Sequence, residues 1–369
     1  MSSLSILIAG GGTGGHLYPG IAVARELLAR VPDARVTFVG TATGIEARVI
    51  PREELPLELI RSAGLKGKSI VALLRGLLLL PLSALDAWRV ISRHAPAVVL
   101  GVGGYSSGPV VALASLRGIP TLLMEQNAAP GLTNRLLARV VKAAAVTYDE
   151  SLAAFGAKAF VSGNPVRPAF FAGGRQAGGA GATAEGEAEG ESVTRVLVFG
   201  GSQGAHAINM AMVAAAPELA RQPRLSITHQ TGERDLRLVR AGYADAGLTA
   251  RVEPFLFAMD EEMKAADLVV CRAGATTLAE LTAAGKPSIL VPLPTATDDH
   301  QRKNAAALVG KGAARMLDQR ELTGSRLAGE IAALAADSDA RAQMAVAAAR
   351  LAKPDAARVI VDRILRLCA

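Results

Sequence analysis

Short, mainly apolar runs alternate along this chain with longer stretches whose apolar residues recur at helical spacing. The first run, Leu4-Ser5-Ile6-Leu7-Ile8-Ala9, enters the glycine cluster Gly10-Gly11-Gly12-Thr13-Gly14-Gly15, and beyond Pro19 the segment Ile21 to Leu28 is amphipathic. The same opening returns downstream. Arg195-Val196-Leu197-Val198-Phe199 enters Gly200-Gly201-Ser202-Gln203-Gly204, and a helical stretch runs from Ala205 to about Leu219. Each is a strand, a glycine loop and a helix, the start of a nucleotide-binding α/β unit. Further strand-like runs lie at Val36–Gly40, Val98–Val102, Thr121–Met124 and Ala144–Thr147, then at Leu225–His229, Leu268–Cys271 and Ser288–Val291. Apolar runs of this length, separated by helices, predict parallel sheets covered on both faces. The expected fold is α/β, with two doubly wound Rossmann-like domains.

The boundary is expected near Arg167, giving domains at 1–166 and 167–353. Between the two patterns lies Gly173 to Ser192, where Gly, Ala and Glu make up nearly all of Gly178–Glu191. Such a stretch has too little apolar surface to order itself and reads as a flexible acidic insertion without chemistry. The tail from Ala328 to Leu367 is helical in period. Pro354 can open its last helix at the first turn, over 354–369.

Composition narrows the function classes. With 369 residues, half of them apolar, the chain can fill two cores. Only 4% are aromatic, with one Trp, which argues against base-stacking platforms for single-stranded nucleic acid. The net charge of +7 suits an acidic partner: nucleic acid, an anionic membrane or a phosphorylated ligand. Two cysteines, Cys271 and Cys368, fit a reducing compartment. The N-terminus has no basic leader, so no signal peptide is expected. Ile70 to Ile91 is the most apolar region, but Arg75, Pro81, Asp86 and Arg89 interrupt it. Its longest uncharged run, Gly76 to Leu85, falls well short of the roughly 20 residues a spanning helix needs.

The cluster Gly10–Gly15 formally satisfies G-x-G-x-x-G, so a dinucleotide site must be weighed. That fold wants an acidic residue at the end of its second strand to hold the ribose. Here Val36-Thr37-Phe38-Val39 ends in Gly40-Thr41, with no acid. A tight turn that needs glycine for its own sake is the plainer alternative. His16, directly after the loop where a helix begins, raises the functional reading: helix N-termini attract anions, and an imidazole there can take a proton near neutral pH. A second loop of the first half, Gly101-Val102-Gly103-Gly104-Tyr105-Ser106-Ser107-Gly108-Pro109, follows another strand. Two such loops at the carboxyl ends of one sheet would converge on a diphosphate pocket. In the second half, Cys271-Arg272-Ala273-Gly274-Ala275-Thr276-Thr277-Leu278-Ala279-Glu280 is a strand end, a small-residue turn and a helix start. Its backbone N–H groups and the Thr277 hydroxyl can face phosphate. Glu280 either accepts from both ribose hydroxyls or merely complements the helix dipole.

These motifs appear in order with Glu125-Gln126-Asn127, Gly131-Leu132-Thr133-Asn134-Arg135 and Gly163-Asn164-Pro165-Val166-Arg167. Together, from about Ile6 to Asn304, they closely resemble the MurG family, the undecaprenyl-diphospho-muramoylpentapeptide β-N-acetylglucosaminyltransferases of peptidoglycan synthesis. The resemblance implies a GT-B fold whose two domains face a cleft, and a peripheral enzyme on the cytoplasmic face of the bacterial inner membrane. It implies transfer of GlcNAc, with inversion, from UDP-GlcNAc to the MurNAc 4-hydroxyl of a lipid-linked diphosphate acceptor. Cell-wall synthesis proteins are further expected partners; nucleic acid is not.

Carried over by motif, Leu256 would present backbone to uracil and Glu280 would hold the ribose. Ser202, Ala275, Thr276, Thr277, Leu278, Ala279 and Arg167 would meet the UDP moiety, and Asn127 and Gln301 would read GlcNAc hydroxyls. Thr13, Gly14 and Gly15 would close on the reacting centre, and Gly12, Gly103, Gly104 and Tyr105 would hold the acceptor diphosphate. His16 is the expected base, with Glu125 in reserve. Met124 stands where the family commonly has His, and Pro294–Asp298 has diverged, which weakens the Gln301 assignment.

No cofactor and no metal are expected. The only Asp-x-Asp, Asp337-Ser338-Asp339, is suited to capping a helix, and His16, His94, His206, His229 and His300 show no ligand spacing. Alternatives on the same scaffold are a UDP-GlcNAc epimerase, a transferase for a soluble acceptor, and a nucleotide-sugar sensor. Leu77 and Leu79, ringed by Lys66, Lys68, Arg75, Arg89 and Arg93, form either a buried helix pair broken at Pro81 or an exposed ridge for an anionic membrane.

Overall fold

The computed structural model describes residues 4–62, 70–171, 193–201 and 203–368, with the backbone alone for 70–78. The acidic insertion at 173–192, Ser202, Lys66, Lys68 and the side chains of Arg75 and Leu77 lie outside the described residues. The chain divides into two compact units, Met1–Arg167 with Lys353–Ala369, and Pro168–Ala352.

The first unit runs β1 (Ser5–Gly10), α1 (Gly14–Arg30), β2 (Arg35–Gly40), α2 (Glu46–Val49), β3 (Leu57–Leu59), α3 (Ile70–His94), β4 (Val98–Gly103), α4 (Ser107–Leu116), β5 (Thr121–Glu125), α5 (Leu132–Leu137), β6 (Ala143–Val146) and β7 (Ala159–Val161). Its strands form a 7-stranded sheet in the order β3-β2-β1-β4-β5-β6-β7, parallel at every pairing. The second unit runs β8 (Thr194–Phe199), α6 (His206–Leu219), β9 (Leu225–Gln230), α7 (Leu236–Asp245), β10 (Ala250–Glu253), α8 (Met259–Ala265), β11 (Leu268–Cys271), α9 (Ala275–Ala283), β12 (Ser288–Leu290), α10 (His300–Val309), β13 (Arg315–Met316), α11 (Gly324–Ala336) and α12 (Ser338–Arg350). These strands make a 6-stranded parallel sheet, β10-β9-β8-β11-β12-β13. In each sheet the order reverses beside the first strand, which opens a crevice at the carboxyl ends between β1 and β4 and between β8 and β11.

Period-2 alternation sorts each strand's side chains between two faces. Ile6 and Ile8 pack with Leu17, Ala24 and Leu27 of α1, whereas Leu7 and Ala9 pack with Val90, Ile91, Val110 and Val111 on the opposite face. The last helix, α13 (Ala356–Cys368), joins the first unit. Its Ile360, Val361 and Ile364 are fully buried in the core that α1 lines, and Arg30 pairs with Asp362 at 2.7 Å. Each such aliphatic side chain contributes about 1.5–3 kcal/mol by leaving water, enough to draw the helix away from its sequence neighbours. Pro354 precedes this helix rather than opening its first turn, because the helix begins at Ala356 with Val359 N–H on the Asp355 carbonyl.

One helix, α3, runs through Pro81 without a break, which removes the alternative of a helix pair broken there. Ser83, Ala87, Val90 and Ile91 form its buried stripe, and Pro81 lies on the exposed side. Water there can take up the carbonyl that the ring leaves unpaired. Asp337 caps α12, accepting from Ala340 N–H at 2.8 Å.

Candidate active site

The first glycine loop leaves β1 at Gly10, and Gly12 has a φ of +83°, which an L side chain rarely adopts. Helix α1 starts at Gly14, so Gly14, Gly15 and His16 form its first turn, with the His16 N–H bonded back to Thr13 O at 3.2 Å. The second loop presses against the first. Gly11 N–H donates to Gly103 O at 3.1 Å, and a Cβ on Gly104 would stand 2.2 Å from Gly11 O. A Cβ on Gly103 would reach within 2.7 Å of His16 Nδ1. The three motifs meet because every one of these approaches needs glycine.

His16 Nδ1 lies 3.2 Å from Gln126 Oε1, and Gln126 Nε2 donates to Val102 O at 2.9 Å. The second bond fixes the amide so that its oxygen faces the ring, which assigns the proton to Nδ1 and the lone pair to Nε2. Gln126 is buried, and no role was read from it in the sequence. Glu125, the reserve base, has another job. Its Oε1 accepts from Asn127 N and Nδ2 at 3.0 and 3.1 Å, and its Oε2 from Gly131 N and Asn134 Nδ2 at 3.1 and 2.8 Å. A buried carboxylate with four donors on its two oxygens holds the 127–134 loop and is poorly placed to take a substrate proton. The Asn127 carbonyl accepts from Ser151 Oγ at 2.8 Å, and Met124 is buried in the core.

Tyr105 is exposed, and its carbonyl accepts from Ser62 Oγ at 2.8 Å. Arg167 lies with its guanidinium carbon 5.8 Å from the ring centre of Tyr18, one turn into α1. Gly12 N–H donates inward to Glu46 Oε2 at 2.8 Å, so that group is not presented to an acceptor diphosphate. The acid missing from the end of β2 is thus supplied by Glu46, which also takes Thr41 N and Oγ1 at 2.8 and 2.9 Å. It binds the protein's own loop, not a ribose.

In the second unit the glycine loop after β8 packs on the loop after β9. A Cβ on Gly204 would meet Thr231 O at 1.8 Å, and one on Gly232 would meet Gln203 O at 2.4 Å. Gln230 joins this loop to the segment after β10: its Nε2 donates to Gly201 O at 3.0 Å and its Oε1 accepts from Leu256 N at 2.8 Å. The Leu256 N–H is therefore already engaged, and the carbonyl is the backbone atom it can offer a base. Asn209 ties α6 to this arrangement through Thr231 O and Asp235 Oδ2, at 2.9 and 2.8 Å. Burial pushes the Asp235 carboxyl up, but hydrogen bonds from Asn209 and His206 outweigh it and hold it below the usual carboxylate range. His229 beneath them accepts from Tyr243 O–H at Nδ1 (2.7 Å) and donates from Nε2 to Asn209 Oδ1 (3.1 Å). Burial lowers its pKa to about 3, so it is neutral.

Helix α9 starts at Ala275 after Gly274, so Ala275, Thr276 and Thr277 form its first turn. Leu278 N–H already bonds Gly274 O at 3.0 Å and its side chain is in the core, so Leu278 belongs to packing; Ala279 follows it into the helix body. Glu280 is half-buried on the same helix, and burial, more than the nearby Glu280, pushes the Cys271 thiol well above its usual range. Arg272 holds the end of β12 through Val291 O and Pro292 O at 3.0 and 3.2 Å. Gln301, second residue of α10, accepts from Leu293 N at 2.9 Å, so its carbonyl oxygen fixes the diverged segment and its amide nitrogen is the atom it can offer a sugar. Among the described residues, no group of three or more His, Cys, Asp or Glu side chains is arranged to hold a metal ion.

Two parallel doubly wound units, each with a glycine loop at its switch point, define a GT-B glycosyltransferase. Residues 6–146 match the glycosyltransferase family 28 N-terminal domain and residues 195–360 the family 28 C-terminal domain. The chain belongs to glycosyltransferase family 28, and within it to the MurG transferases. It is 50% identical to the UDP-N-acetylglucosamine–N-acetylmuramyl-(pentapeptide) pyrophosphoryl-undecaprenol N-acetylglucosamine transferase of Anaeromyxobacter sp. (strain K), over 99% of this chain and 93% of the relative. It is 48% identical to the protein of the same name from Pelobacter propionicus, over 98% and 99%. The crystal structure of Acinetobacter baumannii MurG superposes with a TM-score of 0.79 at 31% identity, covering 98% of this chain and 99% of that one. The UDP-GlcNAc 2-epimerase of Neisseria meningitidis shares the fold alone, with a TM-score of 0.67 at 12% identity over 98% of this chain and 99% of the epimerase.

Proposed function

We propose that this enzyme moves GlcNAc from UDP-GlcNAc to the MurNAc 4-hydroxyl of undecaprenyl-diphospho-MurNAc-pentapeptide, with inversion, at the cytoplasmic face of the bacterial inner membrane. The observation that carries the chemistry is His16, oriented by Gln126 on the first turn of α1 between two interlocked glycine loops. The names of the relatives supply the donor and the lipid-linked acceptor.

The acceptor oxygen forms its bond to the anomeric carbon as the bond to the UDP phosphate oxygen breaks. His16 Nε2 takes the hydroxyl proton, and the departing electron pair stays on UDP. The growing charge on the diphosphate is met by the N–H groups opening α9, by Thr277 and by Arg167. Glu280 holds the ribose, the Leu256 carbonyl accepts from uracil, and Gln301 and Asn127 read the sugar. Thr13, Gly14 and Gly15 border the reacting centre. Gly103, Gly104 and Tyr105, before α4, take the acceptor diphosphate.

The membrane reading rests on α3 and α4. Leu80, Leu82, Leu85 and Trp88 are exposed, Leu116 is 80% exposed, and Arg117 stacks 4.5 Å over Trp88 with Arg89 beside it on α3. Apolar residues mixed with arginines suit a headgroup layer of anionic lipid. Arg93 instead pairs with Glu58 at 2.9 Å and adds little to the collar. No described helix is long and apolar enough to cross a membrane. Product analysis with UDP-GlcNAc, with and without the lipid-linked acceptor, tests the whole reading. Disaccharide-lipid must form only with both; free ManNAc or UDP-ManNAc without acceptor would replace transfer by epimerisation.

A further inference from the structure

Glu46 is 1% exposed and sits on α2, well removed in sequence from the motifs that carry the chemistry. Its side chain runs through a passage built from glycine. A Cβ at Gly11, Gly40 or Gly44 would stand 2.4, 2.3 or 2.2 Å from atoms of the Glu46 side chain. No other residue type fits at those positions without displacing the carboxylate. At the end of the passage, Oε1 accepts from Thr41 N and Oγ1, and Oε2 accepts from Gly12 N at 2.8 Å. All three donors are neutral, and two of them are backbone or hydroxyl groups of the β2 end. The carboxylate therefore clamps the first glycine loop to the strand beside it.

What the clamp holds is the turn that carries His16. Gly12 is followed directly by Thr13, whose carbonyl accepts from His16 N and Leu17 N, both at 3.2 Å. On its other side, Gly11 N–H is fixed to Gly103 O. Gly12 lies at φ +83°, a conformation that an L side chain rarely adopts, and its N–H is held by the hydrogen bond to Glu46. Gln126 fixes which nitrogen of His16 carries the lone pair; where that nitrogen stands depends on the backbone that Gly12 begins.

We propose that Glu46 is a positioning residue for the transfer step: an internal anion that anchors Gly12 and thereby places His16 against the acceptor hydroxyl. The role rests on the reading of His16 as the base. A charged acceptor matters here, since a carboxylate binds a backbone N–H about twice as strongly as a neutral oxygen does. Glutamine at this position offers one carbonyl oxygen for three donors and turns an N–H₂ toward one of them. The loop would then relax, and misplacement of a reacting group by about 1 Å costs on the order of 10²-fold in rate.

The test is a double-mutant cycle on the full-length enzyme, using E46Q, H16A and the double variant. Turnover is measured with UDP-GlcNAc and a short-chain lipid-diphosphate acceptor, UDP affinity by titration calorimetry, and folding by circular dichroism. E46Q should lower kcat by about 10–10²-fold while KM for UDP-GlcNAc stays within about twofold. In the H16A background the same substitution should change kcat by less than about twofold, because the group it positions is gone. Losses that multiply in the double variant would overturn the proposal, since Glu46 would then act independently of His16. Normal turnover by H16A would instead remove the base reading, and with it the group Glu46 is said to place. Should E46Q not fold, E46D takes its place in the cycle; failure of both to fold would make Glu46 a folding determinant and overturn the positioning role.

Discussion

His16 and Gln126 form a neutral counterpart of an acid-oriented histidine: Nδ1 and Oε1 are 3.2 Å apart, and the Val102 carbonyl holds the amide in the sense that makes its oxygen the acceptor. The pair sets the tautomer through the hydrogen-bonding sense of a neutral amide. Gln126→Leu should therefore lower kcat by about tenfold with little change in KM for UDP-GlcNAc, as an orienting contact rather than a binding one is lost. Gln126→Glu keeps an acceptor facing Nδ1 and should retain more activity than Gln126→Leu. Equal losses in the two variants would show that orientation of the ring is not what Gln126 supplies.

His16→Ala should reduce turnover by about 10²–10⁴-fold, the usual contribution of a general base, and leave UDP affinity nearly intact. Steady-state rates at saturating donor, set beside UDP titration calorimetry, separate the two effects. A collapse of UDP affinity with a normal saturated rate would make His16 a binding residue and send the search for the base elsewhere.

Glu280→Ala should weaken UDP by about 10–10²-fold, since one charge-assisted hydrogen bond is worth roughly 1.5–3 kcal/mol. Circular dichroism should be unchanged, because Glu280 is half-buried and its helix is anchored by Leu278 and Leu281. Calorimetric titration with UDP reads the affinity, and an unaltered Kd removes the ribose assignment.

The buried His229 couples stability to pH. Its folded pKa of about 3 lies below the unfolded value, so the unfolded chain binds the extra proton as pH falls. Its contribution is fully present above about pH 6.5 and is lost progressively as pH falls toward 3. Between pH 7 and pH 5 the loss from this one group is about 2 kcal/mol. Urea unfolding of the wild type at the two pH values should show a difference that His229→Gln reduces by about that amount.

Trp88 is the single tryptophan of the chain and is 50% exposed on the α3 ridge, which makes it a built-in reporter. Anionic vesicles should shift its emission to the blue, and neutral vesicles should do so far less. Leu85→Ser with Leu116→Ser should abolish both the shift and co-sedimentation, while transfer to a short-chain, water-soluble acceptor stays near normal. Persistent binding by that variant would place the membrane face on another surface.

The elements with strong local signals were legible in the sequence. β1, β4, β8 and β11 each carry an apolar run that enters a glycine-rich or small-residue turn, and needed no partner to be recognised. Seven ordered motifs were enough to point to the family. β3, β7, β10 and β13 gave no usable run, because an edge strand of 2–4 residues buries too little to impose a period. The helix across Pro81 was also beyond local reading: whether a proline breaks a helix depends on which side of it faces water. Most of all, the sequence marks residue types, while the donors and acceptors each will meet depend on chain segments far apart. Glu125 looked like a reserve base until four N–H groups from its own loop were found on it. Glu46 lay in no motif and Gln126 had no role within Glu125-Gln126-Asn127, because their roles come from partners 34 and 110 residues away that only the folded sheet brings within hydrogen-bonding distance.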